Sequence, residues 1–205
     1  SNSFYNGFGE LESYTDQRGN KYEYRYDLLG RMTTKTFLKA GGNDITTYSY
    51  NNNGENGVGL IKSISDNKST NLATSKEFFY NDFNELIMEK EIVTGEIFLT
   101  KFSYDDIGRP LTKEYPSGFT TQFGYGSQSH LQSIKNITQG ETQADIWKVL
   151  DFSSFGKYTK VIKGNGITTQ SGYNIFGFPT SLYAQGIQNL AFEFDAQFGN
   201  LSLKK

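Results

Sequence analysis

The sequence predicts an all-β protein, an antiparallel meander of tandem hairpins forming a strongly curved or rolled sheet. Three observations predict it. Aromatic residues are abundant, with 14 Tyr, 17 Phe and 1 Trp among 205 residues against only 3 Pro, a bias that favours strands. A short motif returns nine times, at 21 to 30 residues from one copy to the next, the range in which self-similarity marks a repeat architecture. Residues leading into each copy alternate apolar and polar with period two, as strands with one buried face do.

Each copy opens on an aromatic residue and runs into a tight turn. The copies read YNGFGEL at 5, YDLLGRM at 26, YNNNGEN at 50, YNDFNEL at 80, YDDIGRP at 104, YGSQSHL at 125, FSSFGKY at 152, YNIFGFP at 173 and FDAQFGNL at 194. Residues 1–205 therefore read as a single array of about nine units. Tyr26 to Arg31 fits a hairpin built on a type I turn closed by a G1 bulge. Asp27, Asn81, Asp105 and Asn174 hold the first turn position, where the side-chain oxygen can accept bonds from the N–H groups that follow. Gly30, Gly108, Gly177 and Gly199 hold the left-handed position, Gly199 after one extra residue. Asn84 replaces glycine in the fourth unit as the next most tolerant residue. Ser129 breaks this rule, and its turn is expected to differ.

The strands follow from the tips. This geometry places Tyr26 opposite Met32, Tyr5 opposite Leu11, Tyr80 opposite Leu86, Tyr125 opposite Leu131 and Phe152 opposite Tyr158. Two residues before the leading aromatic stands another apolar residue, as at Tyr24, Tyr48, Phe78, Phe102, Phe123, Leu150 and Phe192. Glycine-containing segments around Gly19, Gly41, Gly95, Gly118, Gly164, Gly166 and Gly186 supply the return turns. The third unit carries extra residues and predicts an enlarged turn, and residues 140–150 have room for a turn of helix. Roughly 16–18 strands result, more than an open sheet usually holds flat. The sheet must roll over its own aromatic face or be covered by other parts of a larger protein. An apolar residue precedes the turn glycine in seven units: Phe8, Leu29, Phe83, Ile107, Phe155, Phe176 and Phe198. That recurrence predicts buried tips.

The pattern resembles the YD repeats of the RHS family, found in bacterial polymorphic toxins, the C-components of insecticidal toxin complexes, and teneurins. YDLLGRM, YDDIGRPLTKEYPSGFTTQFGY and GNGITTQSGYNIFGFP carry the resemblance best. It implies a β-strand wall that winds into a hollow shell, in several members around a toxic C-terminal region. In others the repeats belong to large surface proteins for which carbohydrate binding has been proposed. The implied setting is extracellular or at the cell surface of a bacterium, with the chain a piece of a longer protein. Partners implied are the remainder of the parent polypeptide or an encapsulated toxin region. The family's Gly-Arg stands only at Gly30-Arg31 and Gly108-Arg109, and neither its self-cleaving segment nor a toxin domain precedes Lys205.

Chemistry is sparse by comparison. There is no cysteine and His130 is the single histidine, so thiolate and multi-histidine metal sites are excluded. Asp16, Asp27, Asp105 and Asp195 all fall at turn positions that account for them, and Asp105 and Asp106 point to opposite faces as strand neighbours. No calcium-loop pattern occurs. No catalytic, cofactor-binding or metal-ligating residue is nominated, and no enzyme activity is expected. A net charge of -2 without a basic patch offers nothing to nucleic acid. There is no secretory signal, and no apolar run long enough to insert in a bilayer. The serious rival to a structural wall is a glycan-binding or adhesion module using exposed aromatics such as Tyr14, Trp147 and Tyr183. Edge strands would also permit self-association.

Overall fold

The computed structural model describes residues 1–67, 73–195 and 199–204. The chain divides into two compact units at Gly108/Arg109, and every regular element described is a strand. Among the described residues no helix is long and apolar enough to cross a membrane. The first unit holds β1 (Asn2–Tyr5), β2 (Leu11–Thr15), β3 (Lys21–Tyr26), β4 (Met32–Leu38), β5 (Asp44–Tyr50), β6 (Ile61–Asp66), β7 (Thr74–Tyr80), β8 (Leu86–Val93) and β9 (Glu96–Tyr104). The second holds β10 (Pro110–Glu114), β11 (Thr120–Tyr125), β12 (Leu131–Asn136), β13 (Ala144–Phe152), β14 (Tyr158–Lys163), β15 (Thr168–Tyr173), β16 (Pro179–Ala184), β17 (Gln188–Phe194) and β18 (Leu201–Lys204).

Within each unit every strand pairs antiparallel with the next in sequence. The pairs expected from the tips are the pairs found: Tyr5 with Leu11, Tyr26 with Met32, Tyr80 with Leu86, Tyr125 with Leu131 and Phe152 with Tyr158. Each aromatic–apolar pair contributes roughly 0.2–1 kcal/mol. A second irregularity lies just below the tips, where the register slips by one residue beside the leading aromatic, as between Arg25 and Tyr26 and between Phe79 and Tyr80. Such bulges sharpen the local twist of a ribbon.

Three expectations are corrected. Residues 144–150 of the stretch allowed a helical turn belong instead to β13, because Ile146, Trp147 and Val149 fit a pleated face. The Ser129 turn keeps the backbone of the others, with Ser129 at φ 62 and its N–H donating to the Gly126 carbonyl at 3.0 Å, and differs in that Gly126 has no side chain to cap it. Closure by the flanking strands therefore overrides the mild penalty on a serine at positive φ. Leu150 does not continue the inward row; bulges at Val149/Asp151 and Asp151/Phe152 turn it out to 48% exposure, and Val149 is buried at 3% in its place.

The sheet of neither unit closes on itself. Contacts between strands run only between sequence neighbours among the described residues. Among the described residues the buried hydrophobic ones are Val149 and Ala184, and no large side chain is fully buried.

Candidate functional site

The repeated feature with chemistry of its own is the row of hairpin tips. Counting from the leading aromatic, the second residue caps its own turn. In the Asp27 tip, Oδ1 accepts the Leu29 and Arg31 N–H groups at 2.9 and 3.0 Å, and the Gly30 N–H donates to the Asp27 carbonyl at 3.0 Å. Asn6, Asn81 and Asn174 do the same, with Ser153 Oγ as a stand-in. In the Asp105 tip the Ile107 N–H donates to Oδ1 at 3.1 Å and the Gly108 N–H to the Asp105 carbonyl at 2.9 Å. Gly30, Gly108 and Gly177 take φ of 74, 79 and 78, and Asn84 takes 63. Gly199 takes φ 69 in a turn one residue longer, its N–H donating to the Asp195 carbonyl at 3.1 Å.

The remaining atom of the capping side chain selects the sixth residue. Arg31 Nε donates to Asp27 Oδ2 at 2.7 Å, with Nη2 at 2.6 Å. This bond holds the Asp27 carboxyl below the usual carboxylate range, helped by the Arg31 backbone N–H. In the first and fourth units the sixth residue is Glu and the cap is Asn: Asn6 Nδ2 donates to Glu10 Oε2 at 2.6 Å, and Asn81 Nδ2 to Glu85 Oε2 at 2.7 Å. Donor meets acceptor in both versions. The rule is visible in the sequence, as Asn6/Glu10 and Asn81/Glu85 against Asp27/Arg31 and Asp105/Arg109. Reading Glu10 and Glu85 only as departures from Gly-Arg misses it.

The sixth residue also covers the leading ring of the next tip. The Arg31 guanidinium lies 4.3 Å from the centre of the Tyr50 ring and Arg109 lies 4.3 Å from that of Tyr125. Lys157 stands 5.0 Å over Tyr173, His130 packs on Phe152 at 5.8 Å, and Phe178 stacks on Phe194 at 5.0 Å. His130 is thus one member of a packing row. The glycine of the next tip is part of this fit: a Cβ on Gly30 would stand 3.0 Å from Glu10 Oε1, and one on Gly177 3.1 Å from Lys157 Nζ.

Hydroxyl groups tie the same neighbours through the backbone. Tyr26 donates to the Leu11 carbonyl at 3.0 Å, Tyr50 to Met32 at 2.8 Å, Tyr80 to Ile61 at 2.9 Å, Tyr104 to Leu86 at 2.9 Å and Tyr125 to Pro110 at 2.8 Å. Phe152 has no hydroxyl, and its cross-strand partner Tyr158 donates to the carbonyl that position would serve, that of Leu131, at 3.1 Å. In the third unit the enlarged turn does the covering. The Gly57 N–H donates to Asn84 Oδ1 at 2.9 Å, Asn56 Nδ2 to Asp82 Oδ1 at 2.9 Å, and a Cβ on Gly57 would strike the Tyr80 ring at 2.6 Å. Asn84 therefore carries a bond that a glycine would lack.

The apolar fourth residues are not buried. Phe8 is 92% exposed, Phe83 83%, Leu29 77% and Ile107 69%, and Phe155 and Phe176 are exposed as well. Phe198 lies outside the described residues. The physical reason is that central turn residues project away from the hairpin, while the contact between tips passes through the sixth residue and the ring. Between neighbouring tips lie open clefts, one of about 780 Å³ lined by Phe8, Glu10, Tyr26 and Leu28, and one of about 670 Å³ lined by Phe83, Glu85, Tyr104 and Ile107. Tyr14 stacks at 6.3 Å on Tyr22 and Trp147 packs edge-on at 5.3 Å against Tyr158, whereas Tyr183 is partly exposed. No group of three or more His, Cys, Asp or Glu residues suited to a metal occurs among the described residues.

Hairpins that each lean on their predecessor through one recurring tip define a β-hairpin repeat protein. Residues 5–37 match the family model of the RHS repeat. The resemblance to the RHS/YD-repeat family thus holds in sequence motif and, as solved structures show, in fold. The chain is similar to the TcdB2-TccC3 complex without its hypervariable C-terminal region, with a TM-score of 0.75 and 16% identity over 94% of this chain. It is similar also to a Tc holotoxin pore of Photorhabdus luminescens, with a TM-score of 0.75 and 17% identity over 99% of this chain. It spans 11% of the length of each of those chains. A comparison with curated protein sequences finds no match.

Proposed function

We propose that residues 1–205 are one array of about nine RHS-type hairpins forming a non-enzymatic stretch of the wall of a larger, secreted toxin-type shell, which encloses or presents other parts of the same polypeptide. The observation that carries this reading is that the meander sheet of each unit stays open, with no closed core among the described residues, in a fold shared with segments of Tc toxin components. A sheet with half-exposed aromatic rings on one side needs a covering partner. The remainder of the parent chain, or a toxin region held inside, would supply it. Asp16, Asp27 and Asp105 each cap a turn, a structural role consistent with this reading.

Electron cryo-microscopy of the parent protein tests the proposal. The expected result is a hollow β-walled particle in which these residues line part of the lumen. A stalk or an open, solvated sheet in their place overturns it. Saturable glycan binding lost with a single aromatic substitution, such as Tyr183→Ala, would favour the adhesion reading instead.

A further inference from the structure

Two tips place a carboxylate beside the next Tyr ring where two of their siblings place a guanidinium. Where the sixth residue is Arg31 or Arg109, its planar guanidinium lies 4.3 Å from the centre of the next Tyr ring. Arg31 also reaches the Gly59 carbonyl at 3.4 Å, and Lys157, in the same slot of another unit, donates to the carbonyl of Gly177. In the first and fourth units the slot holds Glu10 and Glu85. The rings they face, Tyr26 and Tyr104, line the open clefts of about 780 and 670 Å³. Burial pushes both phenols up, and the charges of Glu10 and Glu85 add to the shift.

Each cleft therefore joins an aromatic face, a carboxylate and an exposed apolar rim. One oxygen of each carboxylate is engaged by Asn6 or Asn81. Among the described residues no donor reaches the other, Oε1, which points at the next turn glycine, Gly30 or Gly108. An aromatic face beside a carboxylate is the complement of a guanidinium, which stacks on the ring and donates in its own plane to the acid.

We propose that these two clefts receive arginine side chains presented by a partner polypeptide, restoring in trans the ring–guanidinium contact that Arg31 and Arg109 make in cis. Phe8 and Leu28 in one cleft, and Phe83 and Ile107 in the other, would contact the apolar stem and flanking residues of the incoming segment. The inference stands on the tips themselves and holds whether or not the parent forms a shell.

Titration of the intact 205-residue chain with N-acetyl-arginine amide, followed by amide and aromatic NMR signals, tests it. Saturable shifts are expected at Gly30 and Gly108 and in the rings of Tyr26 and Tyr104. Glu10→Gln keeps an acceptor for Asn6 and should weaken binding at Gly30 about tenfold while leaving Gly108 unchanged; Glu85→Gln should do the converse. Glu10→Arg should fill its cleft in cis and abolish the Gly30 response. Absence of saturable shifts, shifts insensitive to both Gln variants, or equal binding of N-acetyl-lysine amide would overturn the assignment.

Discussion

Asn81 and Asp27 occupy equivalent corners and look interchangeable by size, yet each faces a partner only it can satisfy. Asn81→Asp would set a carboxylate against Glu85 in place of a donated bond of 2.7 Å. A loss of about 1 kcal/mol is expected in urea unfolding at pH 7, and adding Glu85→Arg should recover most of it by recreating the Asp27–Arg31 arrangement. Acidity acts on the opposite corner. The Asp27 carboxyl is depressed chiefly by its bond from Arg31, so its stabilisation is present above the unfolded value near 3.9 and is lost as pH falls through the lower folded value. The urea midpoint of the protein should drop below about pH 4, and Asp27→Asn should flatten that drop. At this scale the pairing of Asn6 with Glu10, Asn81 with Glu85 and Asp27 with Arg31 stood in the sequence. Single motifs read against a consensus hid it, because the information lies in covariation between positions four apart. Asn51 and Glu55, at the same spacing, do not pair, because the enlarged third turn takes Asn51 to the Asn56 carbonyl.

Strands and their pairing were legible because the turn fixes them: a leading aromatic, a capping side chain and a left-handed residue leave one register open to each hairpin. What escaped was any feature set by the neighbouring ribbon. The bulge that turns Leu150 outward reflects local twist, to which an alternating pattern is blind. The hydroxyl relay is similar, since Phe152 looks conservative until its neighbour's carbonyl is considered. A double-mutant cycle tests that relay. Tyr158→Phe should cost about 0.5–1.5 kcal/mol by stranding the Leu131 carbonyl, and Phe152→Tyr in the same background should restore it by returning the hydroxyl to the position it holds in sibling units. Equal thermal midpoints for Tyr158→Phe and the unmodified protein would show that the carbonyl finds water instead.

For the molecule as a whole, seven recurring apolar corners predicted burial, and the six that are described are in solvent. Recurrence records a shared environment without saying which one. In an array held by nearest neighbours, a position can be equivalent in every unit and still face outward. Leu29→Asp should accordingly change the thermal stability of this chain by no more than about 0.5 kcal/mol, the opposite of what a buried tip requires. The corners then matter for association: replacing Phe8, Phe83 and Ile107 together by Ser should lower concentration-dependent light scattering, since exposed apolar rows of this kind invite contact. Of the rings nominated for glycan recognition, Tyr14 and Trp147 each pack on another ring of their own sheet.

The overlap between tips has a direction. From Tyr26 to Tyr125 each phenol reaches back to a carbonyl earlier in the chain, and each cover from Arg31 to Phe178 lies forward over a ring not yet reached. A polypeptide leaving the ribosome N-terminus first would offer every arriving hairpin a finished seat. Growth of each sheet can then keep pace with translation, one ribbon at a time, with no need to wait for a distant segment before the last one is secured.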